Sequence, residues 1–315
     1  MASLVTPAAA EPTCFGFPAD QVGTPGDDTL IGTAASDVIV ARGGKDTIHA
    51  GGGDDYVCAG KGKDLVGGSL GADTISAGRG NDELSGYEID GFNVTDGNDF
   101  LYGDAGRDSV AGDSGNDFIF QGPGDDALSG DDGSDVVGGG VGDDVVRGGL
   151  GVDSVDGAGG DDVVLGEGVP GGGSSDGDAV TGGTGDDRLR GEEGDDQILG
   201  EGADDRISGG PGADEINGGA GRDEIEGGAS SQATIGPDSL AGGAGADFLR
   251  GSFGADTLTG GAGPDVVIGL EGIDALLGDS GMDRLRAKDG QADAVNGGPD
   301  LDACKTDPID KVVSC

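Results

Sequence analysis

The sequence predicts an all-β protein, a right-handed parallel β-roll (β-solenoid) with two nine-residue units per coil and about 16 coils. Three observations carry that prediction. An aspartate recurs in steps of nine through almost the whole chain, and two residues after it stands Val, Leu or Ile. The stretch between one aliphatic residue and the next aspartate is rich in glycine, which supplies 74 of the 315 residues. A fixed short period marks a solenoid, because each unit can bury its apolar side only against copies of itself.

The recurring aspartates are Asp28, Asp37, Asp46, Asp55, Asp64, Asp73 and Asp82; Asp99, Asp108, Asp117, Asp126, Asp135, Asp144, Asp153 and Asp162; Asp178, Asp187, Asp196, Asp205, Asp214 and Asp223; and Asp238, Asp247, Asp256, Asp265, Asp274 and Asp283. Bulk composition points elsewhere: a net charge of -45, 3% aromatics and no Trp describe a disordered chain. Disorder, however, requires no aliphatic residue at one phase of a nine-residue cycle. Within a unit the glycines permit a tight turn, and the aliphatic residue with its two flanking positions makes a three-residue strand. Side chains alternate across a strand, so the aliphatic residue faces inward and its neighbours outward.

One aliphatic side chain per nine residues cannot offset roughly 1 to 2 kcal/mol of backbone entropy per residue, so another favourable term has to hold the coils together. The aspartates supply it. Asp28, Asp46 and Asp64 fall on one edge of the roll, and Asp37, Asp55 and Asp73 on the other. Carboxylates stacked about 5 Å apart repel one another. A hard cation between turns reverses the sign, since carboxylates and turn carbonyls can provide the roughly six to eight oxygens that Ca²⁺ takes, whereas Mg²⁺ demands stricter octahedral geometry. Roughly 22 to 25 divalent ions would bring the chain near neutrality.

The segments GGTGDDRLR (182–190), GGPGADEIN (209–217) and GGAGRDEIE (218–226) show the unit complete as GGxGxDxUx, with U a large aliphatic residue. On these motifs the chain resembles the haemolysin-type, or RTX, calcium-binding repeat proteins over about residues 23–305. The resemblance implies that the matching aspartates and turn carbonyls ligate Ca²⁺ between coils, many ions per chain, and that the roll is unfolded without them. Family members often attach the roll to a lipase, protease, adhesin or pore-forming segment, none of which is evident here.

The beat breaks at 82 to 99, 162 to 178 and 223 to 238. These gaps read as degenerate units near 86–94, 166–177 and 227–236, carrying Asp90 with Phe92, Gly171 and Gln232. A calcium site beside Gly171 and another beside Gln232 would then be missing or weak; an insertion on one edge is the alternative. With tail units at Asp293 and Asp302, the chain divides into an N-terminal segment (1–22), the roll (23–286) and terminal units with a C-terminal cap (287–315), a rod about 77 Å long.

Four cysteines lie at the two ends, an even number that suggests oxidation outside the cell in a protein of this type. Cys58 and Cys304 would stand about 13 coils, roughly 60 Å, apart, so the roll pairs Cys14 with Cys58 and Cys304 with Cys315, each capping one end. The opening MASLVTPAAA has the small residues of a signal-peptide end without a basic start, and no apolar stretch of about 18 residues exists to span a membrane.

Catalytic chemistry finds no footing, and the chain reads as no enzyme. The single histidine, His49, follows inward Ile48 and belongs on the surface. Adjacent acids such as Asp27 with Asp28 or Asp186 with Asp187 imitate a glycosidase pair, but they recur along the roll as metal ligands would. Against 62 acidic residues, 17 scattered Lys and Arg disfavour nucleic acid. Phe100, Tyr102, Phe118 and Phe120 flank inward Leu101 and Ile119 one coil apart, forming an outward patch that could dock a protein or carbohydrate, or simply stack. An ice-binding array needs one repeated Thr or Asx column; Asp27, Ser36, Lys45, Asp54, Lys63, Ala72 and Asn81 form none. The reading is therefore a secreted, extracellular calcium-binding protein with a structural or adhesive role, or else a calcium-dependent accessory module of a secreted enzyme or toxin.

Overall fold

The computed structural model describes residues 11–86, 97–167, 177–228 and 236–315. These residues form a parallel β-solenoid of two facing sheets, one of 16 strands and one of 15, with successive strands alternating between them. Each strand therefore pairs with the strand two places on, as Leu128 does with Val146 and Val137 with Val155. Coils spaced at about 4.8 Å give a rod of roughly 70 Å. Among the described residues no helix is long and apolar enough to cross a membrane.

The aliphatic column is the core. Residues such as Ile39, Val66, Leu128, Ile198, Leu240 and Leu285 are 0–2% exposed, and the column runs as one continuous cluster from Ile39 to Val295. Three-residue strands occur on schedule at Arg188–Arg190 and Arg206–Ser208, but many strands are longer, such as Val136–Val141 and Gln197–Gly202. Pairing there continues through the glycines, as between Gly140 and Ala158.

The degenerate-unit reading of the three breaks is corrected by the strand pairing. Asp90, Phe92, Gly171 and Gln232 lie outside the described residues, yet the strands on either side pair without them: Leu84 with Val110, Val164 with Leu189, and Ile225 with Leu249. One coil normally takes 18 residues, as from Asp117 to Asp135. Across the breaks it takes 26, 25 and 24, so the interruptions add eight, seven and six residues without adding a rung. Asp82 consequently stacks on Asp108 and not on Asp99. Among the described residues the total stays close to expectation, at 31 rungs, because strands Gln21–Val22 and Lys311–Ser314 extend the two ends.

Both disulfides join the anticipated partners, Cys14 with Cys58 and Cys304 with Cys315. Their placement differs between the ends. Cys304 pairs in register with Leu285, so it occupies the aliphatic position of the last rung of its sheet and closes the end of the core column. Cys58 instead follows inward Val57, and its bridge holds a small antiparallel hairpin, Thr13–Cys14 with Phe17–Pro18, against the outer face of the roll. Phe15 and Phe17 of that hairpin pack on Tyr56.

Candidate metal sites

Each repeat aspartate stands at a corner between the sheets, fixed by its own backbone. The carbonyl of Asp126 accepts the N–H of Val145 one coil on, and the N–H of Asp126 donates to Oδ1 of Asp144 at 2.8 Å. Repeated along the rod, this bond makes two unbroken ladders. One runs from Asp28 through Asp64, Asp108, Asp144, Asp187, Asp223 and Asp265 to Asp302, and the other from Asp37 through Asp73, Asp117, Asp153, Asp196, Asp238 and Asp274 to Asp310. The carboxylates from Asp46 to Asp293 are 0–3% exposed.

The second carboxylate oxygen decides what the ladders can hold. In Asp46, Asp64, Asp126, Asp144, Asp205 and Asp214, among others, Oδ2 is buried and accepts no hydrogen bond. A buried anionic oxygen without a donor costs several kcal/mol unless a cation meets it. Backbone carbonyls converge on the same space. A methyl group on Gly139 would lie 2.6 Å from Asp144 Oδ2 and 2.8 Å from the carbonyl of Gly157 in the next coil; on Gly242 it would lie 2.6 Å from both Asp247 Oδ2 and the Gly260 carbonyl. Two oxygens facing one another across at most about 5 Å match a pair of Ca–O bonds of about 2.3–2.6 Å each. Among the described residues no point gathers three or more His, Cys, Asp or Glu side chains, so the ligand set has to be completed by carbonyls. That mixture suits calcium far better than zinc, and the residues present fit it. Bound there, calcium supplies charge neutralisation between coils.

Without such a cation the carboxyls resist ionisation. Asp144 is pushed up to about 7, first by burial and then by the neighbouring carboxylates Asp126 and Asp162, against the opposing bond from the Asp126 N–H. Asp55, Asp135, Asp205 and Asp274 likewise rise to about 7, and Asp214 to about 8, with burial as the leading cause in each.

Ten segments spanning residues 22–88, 92–168 and 172–291 match the family model of the RTX calcium-binding nonapeptide repeat. The chain belongs to the RTX calcium-binding repeat family. No curated protein matches it along its length. As an RTX chain it is a calcium-binding repeat protein, and its two ladders are where the repeat aspartates gather.

Four of the aspartates read from the sequence as ligands have their Oδ2 already engaged by protein. Asp28 and Asp37 accept the N–H of Thr24 and Thr33, both at 2.6 Å, while Asp256 and Asp238 accept the N–H and hydroxyl of Ser252. Two features went unread in the sequence. Gln121 stands where most units carry their first glycine, and its buried amide, with neither Oε1 nor Nε2 hydrogen-bonded, fills the space before Gly103 and Asp108 Oδ2. Its position in the nine-residue frame, one glycine slot held by an amide, was the available signal. The residue before the repeat aspartate builds a second, outer ladder: Asp143 N–H donates to Asp125, Asp161 to Asp143 and Asp186 to Asp161. Asp186 is thus exposed while Asp187 is buried, so these adjacent acids sit in different environments.

Phe100 pairs with Phe118 and Tyr102 with Phe120, with Phe100 and Phe120 about 40% exposed. The Phe100 and Phe118 rings stack at 4.8 Å, and Phe15 of the N-terminal hairpin reaches Tyr102 at 6.3 Å.

Proposed function

We propose that this chain is a secreted, non-catalytic rod, ordered by calcium outside the cell and serving a structural or adhesive role. One observation carries the reading: two columns of buried aspartates run the length of the roll, and most keep an inward oxygen that no protein group satisfies. Such a stack is self-repelling at neutral pH and becomes self-supporting with divalent cations between its coils. RTX proteins are typically secreted, and two disulfides suit an oxidising compartment. A protein or carbohydrate partner would meet the rod at the strip formed by Phe100, Tyr102, Phe118, Phe120 and the adjoining Phe15, an apolar surface on an otherwise acidic body.

Far-ultraviolet circular dichroism during a calcium titration, with magnesium as control, tests the reading. A cooperative gain of β signal with calcium alone supports it; a signal indifferent to calcium rejects it. Changing Phe100, Tyr102, Phe118 and Phe120 to Ser should leave that transition in place while abolishing attachment to the partner surface.

A further inference from the structure

The nine-residue unit places its second residue four positions before the aspartate. In most units that residue has a positive φ, as at Arg42 (83°), Gly60 (117°), Glu201 (73°) and Asp279 (64°), and at Glu192 and Gly210 its N–H donates to a carbonyl of the next coil. Ser252 departs from this pattern. It is 2% exposed, its N–H donates to Oδ2 of Asp256 at 2.8 Å, and its hydroxyl donates to Oδ2 of Asp238 at 3.0 Å. Asp238 and Asp256 are consecutive members of one ladder. The two inward oxygens that would face a cation at this level therefore face two protons.

We propose that Ser252 takes the place of a calcium ion between the coils of Asp238 and Asp256, leaving that position of the roll metal-free. An N–H and an O–H directed at the same lone pairs supply charge-assisted hydrogen bonds in place of metal bonds. A cation entering the gap would have to displace both donors and leave them buried without acceptors. Residue type alone does not do this. Ser69 occupies the same place in its unit but has a φ of 83°, and its N–H goes to the Gly86 carbonyl of the neighbouring coil at 2.7 Å. The backbone turn at Ser252, together with its hydroxyl, is what closes the site.

This assignment rests on calcium loading of the ladders, and one experiment separates the two ideas. Native mass spectrometry of the full chain in buffered calcium counts the bound ions. Wild type that takes up no calcium would reject the loading itself. Given loading, Ser252→Gly removes the hydroxyl from Asp238 and lets the turn adopt the positive φ that draws the N–H away from Asp256, so it should carry one ion more than wild type, while Ser69→Gly carries the same number. Equal counts in wild type and Ser252→Gly, or an equal gain in Ser69→Gly, would overturn the proposal. Ser252→Ala keeps the N–H bond to Asp256 and removes only the donor to Asp238. It should melt below wild type in saturating calcium, and an unchanged melting temperature would equally count against the plug.

Discussion

Two neighbouring aspartates of one repeat can differ entirely in consequence. Asp144 is buried, accepts the Asp126 N–H through Oδ1 and presents an unsatisfied Oδ2, whereas Asp143 is exposed and accepts only the Asp161 N–H at 3.0 Å. Removing the inner carboxylate orphans a buried donor and a metal position together; removing the outer one returns a donor to water. Asp144→Ala should therefore lower stability in calcium by about 2–4 kcal/mol and reduce the ion count, and Asp143→Ala by less than about 1 kcal/mol at an unchanged count. Calorimetry in saturating calcium, paired with ion counting, reads both. Backbone strain makes an opposite kind of prediction. Ala158 is held at φ 73°, a left-handed conformation that costs an L-residue about 1 kcal/mol and a glycine little. Ala158→Gly should raise stability by about that amount in the same assay, although in a relaxed strand the change would weaken the fold.

At the scale of the repeating element, the frame was readable because it rests on one local rule: an aspartate, then an aliphatic residue two places on. Leu128 and Val146 had to be inward, and their columns had to stack. What the frame could not supply was the length of a turn. A gap of 17 residues between Asp82 and Asp99 resembles two short units when only spacing is counted, but the pairing of Leu84 with Val110 shows one unit and an insertion. Loop closure is cheap in free energy, so a corner can absorb eight extra residues without leaving a mark in the flanking pattern. Nor could spacing reveal that Ser252 donates where Ser69 does not, because the difference lies in φ. Deletion of residues 87–94 joins Gly86 to Thr95 and restores the motif GTDGND ahead of Phe100. The shortened chain should fold with the same calcium midpoint and within about 1 kcal/mol of the parent, monitored by circular dichroism. If the segment were a rung, its loss would shift the alternation of the sheets and destroy the fold.

The whole molecule is governed by the competition of protons, calcium and self-repulsion for the same oxygens. In the metal-free roll Asp55, Asp135, Asp144, Asp205 and Asp274 stand at about 7 and Asp214 at about 8, all above the ordinary 3.8 of an unfolded aspartate. A folded-state value raised in this way means that the folded chain holds protons the unfolded chain has released. The corresponding stability is fully present below about pH 4 and is lost as pH rises through roughly 6 to 8, where the buried carboxyls must ionise. Calcium acts on the ionised form, so its binding expels those protons and its apparent affinity rises with pH over the same window. With the calcium chelated, the chain should therefore show β signal near pH 5 and lose it by pH 8; in millimolar calcium it should be ordered at both, with a higher calcium midpoint at pH 5. A circular dichroism pH titration in the two conditions, together with proton release measured on calcium addition at pH 7, tests the argument. A chelated chain as disordered at pH 5 as at pH 8, or calcium uptake without proton release, would show that burial of the carboxylates is not what holds the metal-free roll open.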